Sequence, residues 1–236
     1  MKNVFLIFLI LLSFALNAQD NIVTGNFPVN PSTPEWNELK SYEEQLLAYN
    51  MPDEIIKKIS TPELVKVCLA YPEWGIIDVF NDRRVGLNNM MSRFNGFLEL
   101  FSRNDAAKEL IKVYSSLDPL AIGKDWTPLQ IGRYSFDINC VEMLLSHGMM
   151  IAKLDEQDIQ VLLDMVVLKY NNKKQLPDVY SLWGLSPTAG VCLSILDRGG
   201  EISRNNTNLL SLKRTFMTED IKVLDSVMDL VGNLKK

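Results

Sequence analysis

The stretch Asp155-Glu156-Gln157-Asp158-Ile159-Gln160-Val161-Leu162-Leu163-Asp164-Met165-Val166-Val167-Leu168-Lys169-Tyr170 decides the fold class. Three acids stand at its start, and apolar side chains follow at 159, 162, 163, 166, 167 and 170. Steps of three and four lay those side chains along one helix face, and carboxylates in a first turn meet the positive end of the helix dipole. The same spacing recurs at Ala107, Leu110, Ile111 and Tyr114, and at Ile221, Leu224, Met228 and Val231. From Val85 through Leu87, Met90, Met91, Phe94, Leu98 and Phe101 it predicts one long helix with a single buried face. The methionines and aromatics in these stripes read as core fillers.

Helix starts punctuate the chain between the stripes. Ser32-Thr33-Pro34-Glu35 and Ser60-Thr61-Pro62-Glu63 share a hydroxyl cap, a proline in the first turn and a glutamate spaced to close a capping box. Asn50-Met51-Pro52-Asp53-Glu54 predicts a short helix running through Ile59. No run of β-branched residues alternates cleanly, and residues 176–183 are the single place that tolerates a short hairpin. The expected fold is all-α, built of stacked antiparallel helical hairpins in the manner of an α-solenoid.

The N-terminus has its own signature. Lys2 precedes an unbroken apolar run from Val4 to Leu12, which ends in small residues at Ala15 and Ala18. That is the order of a cleavable secretory signal, and the run is too short to cross a bilayer. The expected organisation is therefore a signal peptide at 1–18, an extended leader at 19–31, an N-terminal helical region at 32–116 and a C-terminal region at 117–236. Removal of Lys2 takes the formal charge from −5 to −6. With Lys and Arg scattered along the chain, nucleic acid and anionic membrane surfaces are poor partners, and no membrane span remains after processing. Cys68, Cys140 and Cys192 sit among apolar residues and read as buried thiols, with one disulfide between two of them as the alternative.

Thr127-Pro128-Leu129-Gln130-Ile131, followed by Val141-Glu142-Met143-Leu144-Leu145-Ser146-His147-Gly148, resembles one degenerate ankyrin repeat. The resemblance implies an inner helix opened by Thr127-Pro128, an outer helix carrying the apolar cluster, and a left-handed Gly148 past its end. Gln130 stands where the family has histidine, and Phe136 where the turn between helices has glycine. The resemblance further implies that Leu129 and Ile131 point inward, while Trp126, Arg133 and Tyr134 lie on the binding side. The N-terminal half, with Phe94-Asn95-Gly96 in a helix, resembles exported bacterial helical domains, a likeness that brings no activity with it.

Chemistry is sparse. The single histidine, His147, is expected to bond or complement the carbonyls at a helix end. One histidine and three dispersed cysteines lack the paired spacing of a zinc site, and Gly199-Gly200 lacks the Lys and Ser/Thr of a phosphate loop. Asp155, Glu156 and Asp158 read as first-turn acids, and Arg83-Arg84 beside Asp82 as a solvated helix junction rather than an anion site. No catalytic set, metal or cofactor emerges. The expected function is that of an exported, non-catalytic protein-binding module of the periplasm or cell surface, with Trp126, Arg133 and Tyr134 as its candidate binding residues. Two alternatives stand beside it. One is a carbohydrate-binding or glycan-processing protein of the bacterial envelope, which needs two carboxylates about 5–10 Å apart in a cleft. The other is a self-associating envelope structural protein.

Overall fold

The computed structural model describes Phe27 and residues 29–234. The signal peptide at 1–18 and most of the leader fall outside the described residues. Every described element is helical and no strand occurs among the described residues, so the protein is all-α. The chain divides into two compact units: the residues up to Glu73 with Asn89–Arg103, and Trp74–Asn88 with the chain from Asn104 onward.

In the first unit, Pro34–Glu38 forms a single 3-10 turn before α1 (Tyr42–Ala48), α2 (Asp53–Ile56) and α3 (Thr61–Leu69). The two similar helix starts behave differently. At Ser60 the capping box closes: its Oγ accepts from the Glu63 amide at 3.4 Å, and the Glu63 carboxylate accepts from the Ser60 amide at 2.8 Å. At Thr33 the side chain makes no cap bond to the helix and bonds Asn30 instead, so the expected second box is absent. The turn is correspondingly short and buries nothing.

The long helix expected from Val85 to Phe101 is two helices, α4 (Arg83–Arg93) and α5 (Asn95–Ser102), parted by Phe94 in an extended conformation. The cause lies in Asn95. Its side chain accepts from the Met51 amide at 3.0 Å and donates to the Met51 carbonyl at 2.7 Å, while its amide donates to Asn50 Oδ1 at 2.9 Å. These bonds hold the start of α5 to the loop before α2 and outcompete continuation of α4. Gly96 completes the break, because a Cβ there would collide with the Phe94 ring. Phe94 is thereby driven inward, stacked on Tyr71 at 4.7 Å and edge-on to Phe97 at 5.6 Å. Val85 and Leu98, read as stripe residues, are outside the core.

The second unit contains α6 (Ala106–Ser116), α7 (Pro128–Leu145), α8 (Gly148–Ile151), α9 (Glu156–Lys174), α10 (Pro177–Leu196), α11 (Glu201–Arg204), α12 (Thr207–Thr215) and α13 (Ile221–Leu234). The acids before α9 act as expected, Asp155 and Asp158 capping each other's amides in a closed box. Only Gln175 and Leu176 separate α9 from α10. Lys173 near the end of α9 bonds the Gly184 carbonyl near the start of α10, so the two form an antiparallel pair. The segment 176–183 is helical rather than a hairpin, with one interruption at Ser181, whose φ of 41° lies in the left-handed region. α10 is long and apolar enough to span a membrane, yet 72% of its apolar window is buried inside the fold, which marks a core helix. Cys68, Cys140 and Cys192 are buried, and no disulfide joins them.

One helix, α7, covers the ground where the sequence led to the expectation of an inner and an outer helix. Thr127 caps it in a closed box with Gln130, but Phe136 lies in mid-helix and makes no turn. Leu129 is 81% exposed and does not point inward. Gly148 opens α8 instead of closing a helix in a left-handed conformation, and Gly200 is the described glycine with positive φ.

Candidate functional site

The first unit carries an open groove of about 550 Å³ between α1 and the α4–α5 junction. Its walls include Tyr42, Leu47 and Leu98, exposed by 47%, 58% and 57%. Glu43, Asn50, Arg93 and Asn95 give it polar edges. The break at Phe94 creates this surface: it turns α5 so that Phe97 and Phe101 are buried while Leu98 faces out. The phenol of Tyr42 donates to Glu73 at 2.8 Å, which fixes the ring at the groove's edge. Burial and then that hydrogen bond raise its pKa, so Tyr42 stays a neutral donor. The sequence hides this groove because Leu98 fits the apolar periodicity that assigns it to the core.

The three residues singled out from sequence lie at the start of α7. The rings of Trp126 and Tyr134 meet edge to face at 5.3 Å, both half-buried, and Arg133 is exposed. Tyr134 Oη donates to the Asp118 carbonyl at 2.9 Å and accepts from the Asp118 amide at 3.1 Å. Trp126 packs over Gly123, where a Cβ would strike the indole. The two rings therefore pin the loop that leads into α7, and the outward face beside them is Leu129 with Arg133.

A third cluster is chemically the most unusual. Lys173 and Glu142 are fully buried and joined by a bidentate contact at 2.8 and 3.0 Å. The Lys173 ammonium also donates to Asn139 Oδ1 at 3.2 Å, the Gly184 carbonyl at 2.8 Å and Thr188 Oγ1 at 3.0 Å. Tyr114 and Thr188 each donate a hydroxyl to Glu142 Oε1, at 2.8 and 2.9 Å. Burial lowers the Lys173 pKa, and the Glu142 carboxylate opposes that shift. Lys173 and Glu142 line none of the four cavities described here, so their polarity holds α6, α7, α9 and α10 together and is not presented to a ligand.

His147 caps the start of α8, its Nδ1 accepting from the Met149 amide at 3.2 Å, and so departs from the expected role at a helix end. Burial, then the nearby charge of Arg84, lower its pKa to about 4, which leaves the ring neutral at pH 7. Arg83 is not solvated: it is buried, paired with Asp78 at 2.6 Å and stacked on Trp183 at 4.2 Å. Among the described residues no group of three His, Cys, Asp or Glu side chains could hold a metal ion. Each of the four cavities has a single carboxylate in its wall, Glu43, Asp197, Asp82 or Glu156, so none offers the paired acids of glycan hydrolysis. No family model, no curated protein and no solved structure matches the chain.

Proposed function

We propose that the protein is an exported, non-catalytic module that binds a segment of another protein in the groove of its first unit. The observation that carries this reading is the grouping of Tyr42, Leu47 and Leu98, each about half exposed, around one open cavity. Apolar side chains left in water beside a polar rim are the usual mark of a surface completed by a partner. The occupant is a short segment with two apolar anchors and an acidic residue to meet Arg93. Export is the reading of the N-terminal signal pattern, which places the partner in the periplasm or at the cell surface.

A peptide library selected against the mature chain tests the proposal. Enriched peptides are expected to share spaced apolar residues and an acid, and to lose about thirtyfold in affinity, or roughly 2 kcal/mol, against the double variant Leu47→Glu, Leu98→Glu. Enriched peptides that bind the double variant as well as the parent refute it. If the parent instead dimerises by light scattering and the variant does not, the occupant is a second copy and the self-associating reading takes its place.

The face carrying Leu129, Arg133 and the rings of Trp126 and Tyr134 supports a second reading, resting on the 81% exposure of Leu129. The degenerate ankyrin resemblance also points to this face. Peptides that respond to Leu129→Glu with Arg133→Glu, and are indifferent to the groove variant, favour it.

A further inference from the structure

A cavity of about 270 Å³ in the second unit is lined by Arg84, Arg198 and Lys213 together with Ser146, Ser194 and Asp197. Three of these side chains are cations and one is an anion. The anion is already engaged. Asp197 Oδ1 accepts from the Ile202 amide at 2.9 Å, and Oδ2 accepts from the Ser203 amide at 3.3 Å and Lys213 Nζ at 2.9 Å. Lys213 and Asp197 cancel each other's charge, which leaves Arg84 and Arg198 in excess.

Neither arginine is compensated well. Arg84 Nε and Nη2 donate to the Lys213 carbonyl at 2.9 and 2.8 Å, and its guanidinium lies over the Phe216 ring at 4.9 Å. A carbonyl and a ring fix its orientation but supply no negative charge. Asp82, the nearest acid in sequence, has Oδ2 on Arg214 at 3.0 Å and Oδ1 on the Arg84 amide. Arg198 reaches Glu156 only at 3.6 Å, and that carboxylate is 92% exposed, where water weakens the attraction. Burial pulls the Arg84 pKa down, and the Asp82 charge opposes that shift without overcoming it.

The Ser194 hydroxyl supplies an independent observation. Ser194 is 8% exposed, lines the same cavity, and its Oγ is buried without a hydrogen-bond partner. A buried hydroxyl left unsatisfied costs free energy, and a bound group that takes its bond removes that cost. Arg84 comes from α4, and Ser194 and Arg198 from the end of α10 and the turn after it, so two segments distant in sequence supply the donors. A planar carboxylate offers its lone pairs in one plane, whereas a tetrahedral anion turns an oxygen toward each of several directions. We propose that this cavity binds a phosphate group, with Arg84, Arg198 and the Ser194 hydroxyl as donors.

The chain contains one histidine, so the C2 proton of His147 is a unique NMR reporter of the charge on Arg84 beside it. Inorganic phosphate is titrated into the full mature chain at constant ionic strength, against chloride, with acetate and glycerol 1-phosphate as further arms. Phosphate is expected to raise the His147 pKa saturably and to raise Tm, while chloride and acetate do neither. Arg198→Gln, an exposed position, is expected to weaken phosphate about tenfold, and Ser194→Ala about fivefold, as lost charged and neutral hydrogen bonds do. Arg84→Gln is expected to abolish the response. Since it also loosens the Lys213 clamp, the first two variants carry the decision. Tighter binding of glycerol 1-phosphate than of phosphate identifies an organic phosphate as the ligand, and the reverse identifies the free ion. No saturable response, equal binding by acetate, or unchanged affinity in both Arg198→Gln and Ser194→Ala overturns the assignment.

Discussion

The two units specify their cores by opposite means. The first packs rings: Phe27, Tyr49, Tyr71, Phe94 and Phe97 make a chain of edge and stacked contacts between 4.7 and 6.3 Å. Among the described residues, its buried polar loose ends are the Tyr71 hydroxyl and Asn89 Oδ1, which have no hydrogen-bond partner. The second unit places a full ion pair at its centre and surrounds it with hydroxyl, amide and carbonyl groups. Ring packing spreads its energy over many weak contacts, none of which leaves a charge exposed to a dry interior when it is lost. A buried ion pair does, because each charge was stripped of water and depends on a few fixed partners. The second unit therefore risks a large penalty when one member of the pair is lost.

That asymmetry sets the largest expected effect. Lys173→Met leaves Glu142 buried without its cation and is expected to destabilise the protein by about 3–5 kcal/mol in denaturant unfolding. Adding Glu142→Leu to it removes the orphaned charge and should recover most of the loss, since a packed apolar pair replaces a buried ion pair at little cost. If the double variant is as unstable as the single one, the network is held by its hydrogen bonds to Tyr114 and Thr188 more than by its charges, and the contrast between the units narrows.

In the first unit the corresponding test is steric. Gly96→Ala puts a methyl group into the Phe94 ring, which must leave its stack on Tyr71. The expected loss is about 1–3 kcal/mol, the range for overpacking a core. The same substitution restores helix propensity across Phe94-Asn95-Gly96, so a stabilised variant with α4 and α5 fused would show that the break is not required by the core. The groove at Leu98 would then be rearranged, and the proposed binding site lost with it.

Acid separates the units next. His147 is held at a pKa of about 4 in the fold, below 6.5 for the unfolded chain, by burial first and by Arg84 second. Because the native state resists the proton that the unfolded state accepts, stability is complete above about pH 6.5 and falls as the pH drops toward 4. Allowing for the exposed part of the ring, the loss is on the order of 1–2 kcal/mol. Hydrogen exchange at pH 7 and pH 4.5 should show amides of the second unit losing protection ahead of the first. His147→Asn, which can still accept from the Met149 amide, should abolish that part of the pH dependence.

What the sequence made legible follows the same division between local and distant causes. Helix starts at Ser60, Thr127 and Asp155 are written in four adjacent residues, and all three boxes close in the structure. The break at Phe94 is not legible locally, because it depends on Asn50 and Met51, more than forty residues away. The ion pair leaves a signal in the sequence: Glu142 interrupts the apolar run of residues 140–145, and Lys173 continues the stripe of Val166 and Tyr170. Each is a charge at a core position, the pattern that demands a buried partner. The groove left no signal, because an apolar residue that faces a partner and one that faces the core look alike in sequence. The rings of Trp126 and Tyr134 meet at the start of α7, and their half-burial and the Asp118 bonds give them a part in holding the loop.

The smallest expected effect isolates what the units share. Ser60 in the first and Thr127 in the second each accept from the amide three residues on, at 3.4 and 3.3 Å, and each is answered by a side chain returning to its own amide at 2.8 Å. A capping bond satisfies a donor within its own first turn and does not depend on how the core is built. Ser60→Ala and Thr127→Ala are therefore expected to cost the same, about 1 kcal/mol each, despite the contrast between aromatic and ionic cores. Thr33→Ala should cost less than either, because Thr33 makes no cap bond to the turn it precedes and its hydroxyl serves only the exchange with Asn30. Urea midpoints of the three variants at one pH decide the matter. A Thr127→Ala loss well above that of Ser60→Ala would mean that the start of α7 is coupled to the ion pair further along the same helix, and that in the second unit even a local device is not independent of the core.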